Sequence, residues 1–121
     1  MKKIVALVIV FIFLAIPVFA DDWTREDTYR ELGWTALLVV DYGQTMNIAQ
    51  NPDKFREHNP ILDKHPSKDA VRIYMLSAAI IHPVISYYLP PKYRKWWQYI
   101  SIGVEIGAVG NNFGTGIGVT F

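Results

Sequence analysis

Apolar residues in this 121-residue chain form four long blocks, which prolines and polar stretches separate. The first block runs from Ile4 to Ile16, follows two lysines and ends at Pro17. It is shorter than the about 20 residues that a membrane-crossing helix needs, and small residues follow it at a cleavage position. We therefore predict that residues 1–20 are a secretory signal peptide and that cleavage follows Ala20. A retained anchor helix is the alternative.

The second block, from about Thr24 to Gln50, predicts the first helix of the mature chain. Thr24 precedes Asp27 by three residues, a spacing close to that of a capping box. Acidic residues early in this block suit the positive end of a helix dipole. The block then becomes apolar and stops before Pro52, which marks the end of the helix.

Two further blocks complete the mature chain. Ser67 is a favourable N-cap for a second helix, which ends near Leu89. Pro83 lies inside this helix and predicts a kink, because proline removes a backbone hydrogen bond. After Pro91, apolar and small residues alternate, so this block fits a strand as well as a helix. We favour a third long helix followed by a short, extended, glycine-rich tail over 114–121.

The predicted mature domain, residues 21–121, is therefore a single small all-α unit. It has no cysteine, so its stability must come from apolar packing, oligomerisation or the bilayer. Removing Lys2 and Lys3 from the 12 basic residues leaves ten against 11 acidic residues. This near-neutral balance excludes the basic surface that nucleic-acid binding requires.

The block from Ala70 to Leu89 is the best candidate for a membrane crossing, because it is largely apolar and long enough. The first helix is a weaker candidate because Asp41 interrupts it. Tyrosines and tryptophans that suit a membrane interface lie at the end of the second helix and beyond it: Tyr87, Tyr88, Tyr93, Trp96, Trp97 and Tyr99. We expect an exported protein held in an envelope membrane, with a soluble periplasmic bundle as the alternative.

Each predicted helix carries one ionisable residue in an apolar stretch, namely Asp41, His82 and Glu105. Such residues face the interior of a bundle and find partners there, because an unpaired charge in apolar surroundings is costly. If the three helices pack together, these residues could form a structural hydrogen-bonded cluster, a proton-handling cluster or a metal site. They are our candidate catalytic and metal-binding residues, with the structural cluster preferred.

A weaker set of metal-ligand types lies in the connection between the first two helices. Glu57, His58 and His65 are suitable residues, but they lack the regular spacing of a zinc site. The chain also lacks a nucleophile elbow, a phosphate-binding glycine loop and a zinc-protease helix motif. We predict no cofactor, keep a divalent metal as an open alternative, and expect the protein not to be an enzyme.

Four small or polar residues suit helix packing. Gln44 and Thr45 lie three and four residues after Asp41, on the same helical face, and amides and hydroxyls of this kind link helices. Gly103 and Gly107 lie four residues apart, which gives a helix a small-residue face that a second helix can approach closely. We predict packing roles for all four.

Several short strings extend over nearly the whole mature chain and resemble small signal-bearing proteins of phages, prophages and bacterial envelopes. The resemblance implies a shared helical design and a phage origin, but no activity. The strings are Asp41-Tyr42-Gly43-Gln44-Thr45, Glu57-His58-Asn59-Pro60-Ile61-Leu62, His65-Pro66-Ser67 and Leu89-Pro90-Pro91.

The expected function is that of a non-enzymatic envelope module that binds membrane lipid and contacts another envelope or phage protein. One alternative is a membrane-embedded metal- or proton-handling enzyme that uses Asp41, His82 and Glu105. Another is a phage factor that causes lysis or blocks superinfection.

Overall fold

The computed structural model describes residues 2–4, 6 and 22–121. Over 22–121, all regular secondary structure is helical and forms α1 (Arg25–Gln50), α2 (Lys68–Tyr88) and α3 (Pro91–Gly114). The all-α prediction is confirmed for these residues, and the block after Pro91 is a helix, not a strand. The predicted signal peptide and its cleavage after Ala20 lie outside the described residues, apart from 2–4 and 6.

Local sequence signals set the starts of the helices. Thr24 Oγ1 accepts a hydrogen bond from the Asp27 amide (3.1 Å), and Asp27 Oδ2 accepts one from the Thr24 amide (2.9 Å). Ser67 Oγ accepts from the Ala70 amide (3.1 Å) at the start of α2. Caps of this kind contribute about 1 kcal/mol each. Pro91 opens α3, where its missing amide hydrogen costs nothing.

α1 packs against both other helices, most extensively against α3. Gln98 near the start of α3 donates to the main-chain oxygen of Asp27 (3.1 Å), and Asn112 near its end donates to Gln44 (3.1 Å). α1 and α3 therefore run parallel. α2 runs antiparallel to both and continues as a helix on either side of Pro83.

The C-terminal residues 117–121 have no regular secondary structure and lie against α1. The Thr120 amide donates to the Gly43 carbonyl (3.0 Å). A side chain at Gly43 would collide with Val119 and Phe121, so this close approach requires glycine.

The interior of the bundle is mixed in polarity. An apolar core lies mainly where α1 meets α2 and consists of Trp34, Leu38, Met46, Val71 and Met75. Other buried positions are polar, and many large apolar side chains lie on the outside. Among the described residues, α2 is the one helix long and apolar enough to cross a membrane.

Candidate functional site

Six buried polar residues meet where the starts of α1 and α3 approach the end of α2. A spacing of four residues places two of them on the inner face of each helix. We call them the Glu31 cluster: Asp27, Glu31, His82, Ser86, Arg94 and Gln98.

Glu31 is the centre of this cluster. Its Oε1 accepts hydrogen bonds from the Ser86 hydroxyl and from Gln98 Nε2 (3.1 Å). Its Oε2 accepts from His82 Nδ1 (3.0 Å). Both oxygens of a carboxylate that is only 3% exposed are thus satisfied from α2 and α3.

His82 is held between two indole rings. Trp34 stacks on one face, with ring centroids 3.7 Å apart, and Trp97 stacks on the other at 4.7 Å. Trp97 Nε1 also donates to Ser86 Oγ (3.1 Å), which fixes the indole. The second imidazole nitrogen, Nε2, is buried without a hydrogen-bond partner among the described residues.

Arg94 provides a buried positive charge beside the cluster's acids. Its guanidinium is fully buried and donates to Asp27 Oδ2 (3.1 Å), Asp22 Oδ1 (3.0 Å) and the Ser86 carbonyl (2.6 Å). Burial alone would raise the pKa of Asp27, but the capping bonds with Thr24 and the charge of Arg94 outweigh it and lower that pKa. Asp27 is therefore held as a carboxylate.

A second acidic contact lies further along α1 and α3. The Asp41 and Glu105 side chains share a hydrogen bond, and Thr45 Oγ1 donates to Asp41 Oδ1 (3.3 Å). Burial and the adjacent Asp41 raise the pKa of Glu105 to about 8. Burial also raises the pKa of Asp41, and the charge of Glu57 adds to that effect. At neutral pH Glu105 therefore keeps its proton and donates a hydrogen bond to Asp41.

Buried amides join the far ends of the same two helices. Asn112 Nδ2 donates to Gln44 Oε1 (3.1 Å), and Gln44 Nε2 donates to the Val109 carbonyl (3.2 Å). Gln44 and Thr45 are both almost fully buried. Gly103 and Gly107 instead lie on the outer face of α3, with open space beside each.

The three ionisable candidates do not form one group. Asp41 and Glu105 meet between α1 and α3, whereas His82 lies in the Glu31 cluster. Within residues 2–4, 6 and 22–121, no three metal-ligand side chains are grouped so that they could hold a metal ion. The Glu31 cluster and the Asp41–Glu105 pair can hold protons, and their hydrogen bonds fix how each helix is rotated about its own axis.

The weaker metal-ligand set lies in the connection between α1 and α2. His58 and His65 are exposed. Glu57 Oε1 accepts hydrogen bonds from the amides of His58 (2.9 Å) and Asn59 (3.0 Å). This carboxylate orders the loop.

Sequence reasoning missed most of the Glu31 cluster. Asp27 is predicted only as a capping residue and His82 as an ionisable residue of the second helix, and the other four members have no predicted site role. A usable signal was present in α3, because Gln98, Glu105 and Asn112 recur every seven residues and so share a helical face.

Comparison with protein-family models, with curated proteins and with solved structures finds no match to this chain.

Proposed function

We propose that this chain is a small exported helical protein of the cell envelope, embedded in a membrane, that acts by contacting another protein. The observation that carries the proposal is the inverted distribution of polar and apolar residues. Among the described residues, and leaving glycine and proline aside, nine buried side chains are polar or charged and eight are hydrophobic. Large apolar side chains on all three helices are exposed, among them Leu32, Val39, Ile73, Ile81, Trp96, Ile100, Val104 and Ile106.

This distribution suits lipid better than water. An apolar surface of this extent is unusual on a soluble monomer. In a bilayer, the same side chains contact lipid, and polar groups gain most by facing one another inside the bundle. α2 supports the proposal further, because it begins with Lys68 and Arg72 and ends with Tyr87 and Tyr88, residue types that suit the two interfaces.

The outer face of α3 supports the protein-contact part of the proposal. Gly103 and Gly107 have open space beside them, Ile100 and Val104 on the same helix are exposed, and no part of the described chain covers the two glycines. A helix of another membrane protein can approach such a surface closely. The signal peptide over residues 1–20 and the kink at Pro83 belong to the same proposal.

No observation favours the enzyme alternative. The enzyme alternative needs Asp41, His82 and Glu105 in one site, but His82 bonds to Glu31 and lies apart from the other two. A lytic or superinfection-blocking role would show as a growth or infection phenotype when the protein is expressed.

Membrane fractionation with carbonate extraction and N-terminal sequencing tests the proposal. We expect a chain that starts at Asp21 and resists extraction. Ile81→Asp, on the outer face of α2, should lower the extraction-resistant fraction, whereas Ile61→Asp, in the exposed loop, should not. Wild-type protein that washes off, or an equal response to both variants, would contradict membrane embedding.

A further inference from the structure

An apolar cavity of about 590 Å³ lies between α1 and α2. Leu38, Tyr42 and Met46 line it from α1, and Met75, Leu76 and Ala79 line it from α2. This volume falls within the about 300–1,000 Å³ of pockets that bind small molecules. The cavity is thus large enough for a ligand and apolar over most of its wall.

The charge in the lining is positive. Arg72 lies at one end of the cavity, and none of the described lining residues is acidic. The Arg72 side chain is 40% exposed and donates to Asp69 Oδ1 (3.0 Å). That bond uses one of five guanidinium hydrogens, so the others can reach an anion.

The cavity is oriented along α2. Arg72 lies one turn after the start of the helix, and Met75 and Ala79 follow on the next turns. If α2 crosses the membrane, its N-terminal end lies at headgroup depth and the apolar wall extends toward the hydrocarbon. A ligand with an anionic end and an apolar chain matches both parts.

We propose that this cavity binds one acyl chain of an anionic phospholipid, whose phosphate contacts Arg72. The inference rests on the proposed membrane location. Cationic pockets between membrane helices bind anionic headgroups, and a guanidinium pairs well with phosphate. Lys2 and Ala6 also line the cavity. Both precede the predicted cleavage after Ala20, so the volume of about 590 Å³ is that of the unprocessed chain, and after cleavage the site is a groove open on that side.

Native mass spectrometry of the processed protein in mild detergent tests this binding. The probe is an equimolar mixture of dioleoylphosphatidylglycerol and dioleoylphosphatidylcholine. We expect one lipid per chain, with phosphatidylglycerol preferred. Ala79→Phe fills the cavity and should reduce the adduct about tenfold or more. Arg72→Gln should abolish the preference for phosphatidylglycerol.

Two matched controls lie on the same helix but outside the cavity. Ile81→Phe adds a ring on the outer face, and Lys68→Gln removes a charge from the first turn. Both should bind lipid as the wild type does. Ala79→Leu, a smaller filling change, repeats the test if the Phe variant does not fold.

Two results would overturn the inference: no adduct in the wild type, or an unchanged adduct in both Ala79 variants. Each is distinct from failure of the membrane proposal, because carbonate extraction of the same preparations reports membrane embedding separately. Protein that resists extraction but holds no lipid would refute this inference alone.

Discussion

The Glu31 cluster and the Asp41–Glu105 pair both place acidic groups in the interface between α1 and α3. The buried charge is compensated differently in the two regions. In the cluster, the capping bonds with Thr24 and the charge of Arg94 lower the pKa of Asp27, so this carboxyl stays ionised. Glu31 is satisfied by hydrogen bonds from α2 and α3. In the pair, burial and mutual repulsion raise the pKa of Glu105 to about 8, so one group keeps its proton.

The difference shows two ways to bury an acid between helices. A buried ion pair depends on the continued presence of its cation, and removing one partner leaves an uncompensated charge. A protonated pair needs no cation but depends on pH. One end of the α1–α3 interface should therefore respond to mutation, and the middle should respond to pH.

Arg94→Met should have the largest effect, because it removes the fully buried cation that bonds Asp27 Oδ2 and leaves only Arg30 on that carboxylate. We expect a loss of about 3–5 kcal/mol in the free energy of unfolding. Denaturant unfolding in detergent measures it. Lys95→Met, at the exposed neighbouring position, should change stability by less than about 0.5 kcal/mol. Equal effects would mean that Arg94 does not stabilise the cluster.

His82→Phe should have the next largest effect. The phenyl ring preserves stacking between Trp34 and Trp97 but removes the donor to Glu31, which we expect to cost about 1–3 kcal/mol. The same unfolding measurement applies, with His58→Phe in the exposed loop as the control. A neutral result would show that stacking alone accounts for His82.

Glu105→Gln separates the two regions by their pH response. In the folded wild type, Glu105 has a pKa of about 8, above its ordinary value of 4.5. The folded state therefore holds more protons than the unfolded state between these values, and stability should fall as pH rises from 4.5 to 8. Glu105→Gln should reduce this slope, as measured by thermal unfolding across the pH range. Arg94→Met should leave the part of the pH dependence of stability that comes from Glu105 unchanged. The same pH dependence in Glu105→Gln as in the wild type would refute the protonated pair.

The smallest change is expected from replacing both amides of the Gln44–Asn112 contact. Asn112→Leu alone leaves a buried amide oxygen unpaired and should cost about 1–3 kcal/mol, whereas Gln44→Leu combined with Asn112→Leu should be nearly neutral. A double-mutant cycle measures the coupling between the two amides. Additive losses would show that the amides do not depend on each other.

Helix positions were the most predictable part of the structure. Thr24, Ser67 and the Pro90-Pro91 step mark the helix boundaries through local hydrogen bonding and proline geometry, which depend on neighbours in sequence. The third block was ambiguous because an alternating pattern fits a strand, and packing of α3 against α1 decided for the helix.

The partners of the buried residues were much less predictable. The sequence indicated that Asp41, His82 and Glu105 need partners. Which residues become those partners depends on how the helices are rotated relative to one another. Only two of the three met. Glu31 pairs with His82 because α1 and α2 are antiparallel, and pairing between residues 51 positions apart is set by packing across the whole bundle.

The parallel arrangement of α1 and α3 has a consequence for biosynthesis. Arg94 lies 67 residues after Asp27, so the ribosome adds it roughly 3 to 13 seconds later at about 5–20 residues per second. During that interval Asp27 and Glu31 have no arginine from α3. Arg30 of α1 can pair with Asp27 in the meantime, whereas Glu31 still lacks Gln98 of α3. The Glu31 cluster is therefore complete only after the last helix has been made, which makes its arrival the committing step of assembly.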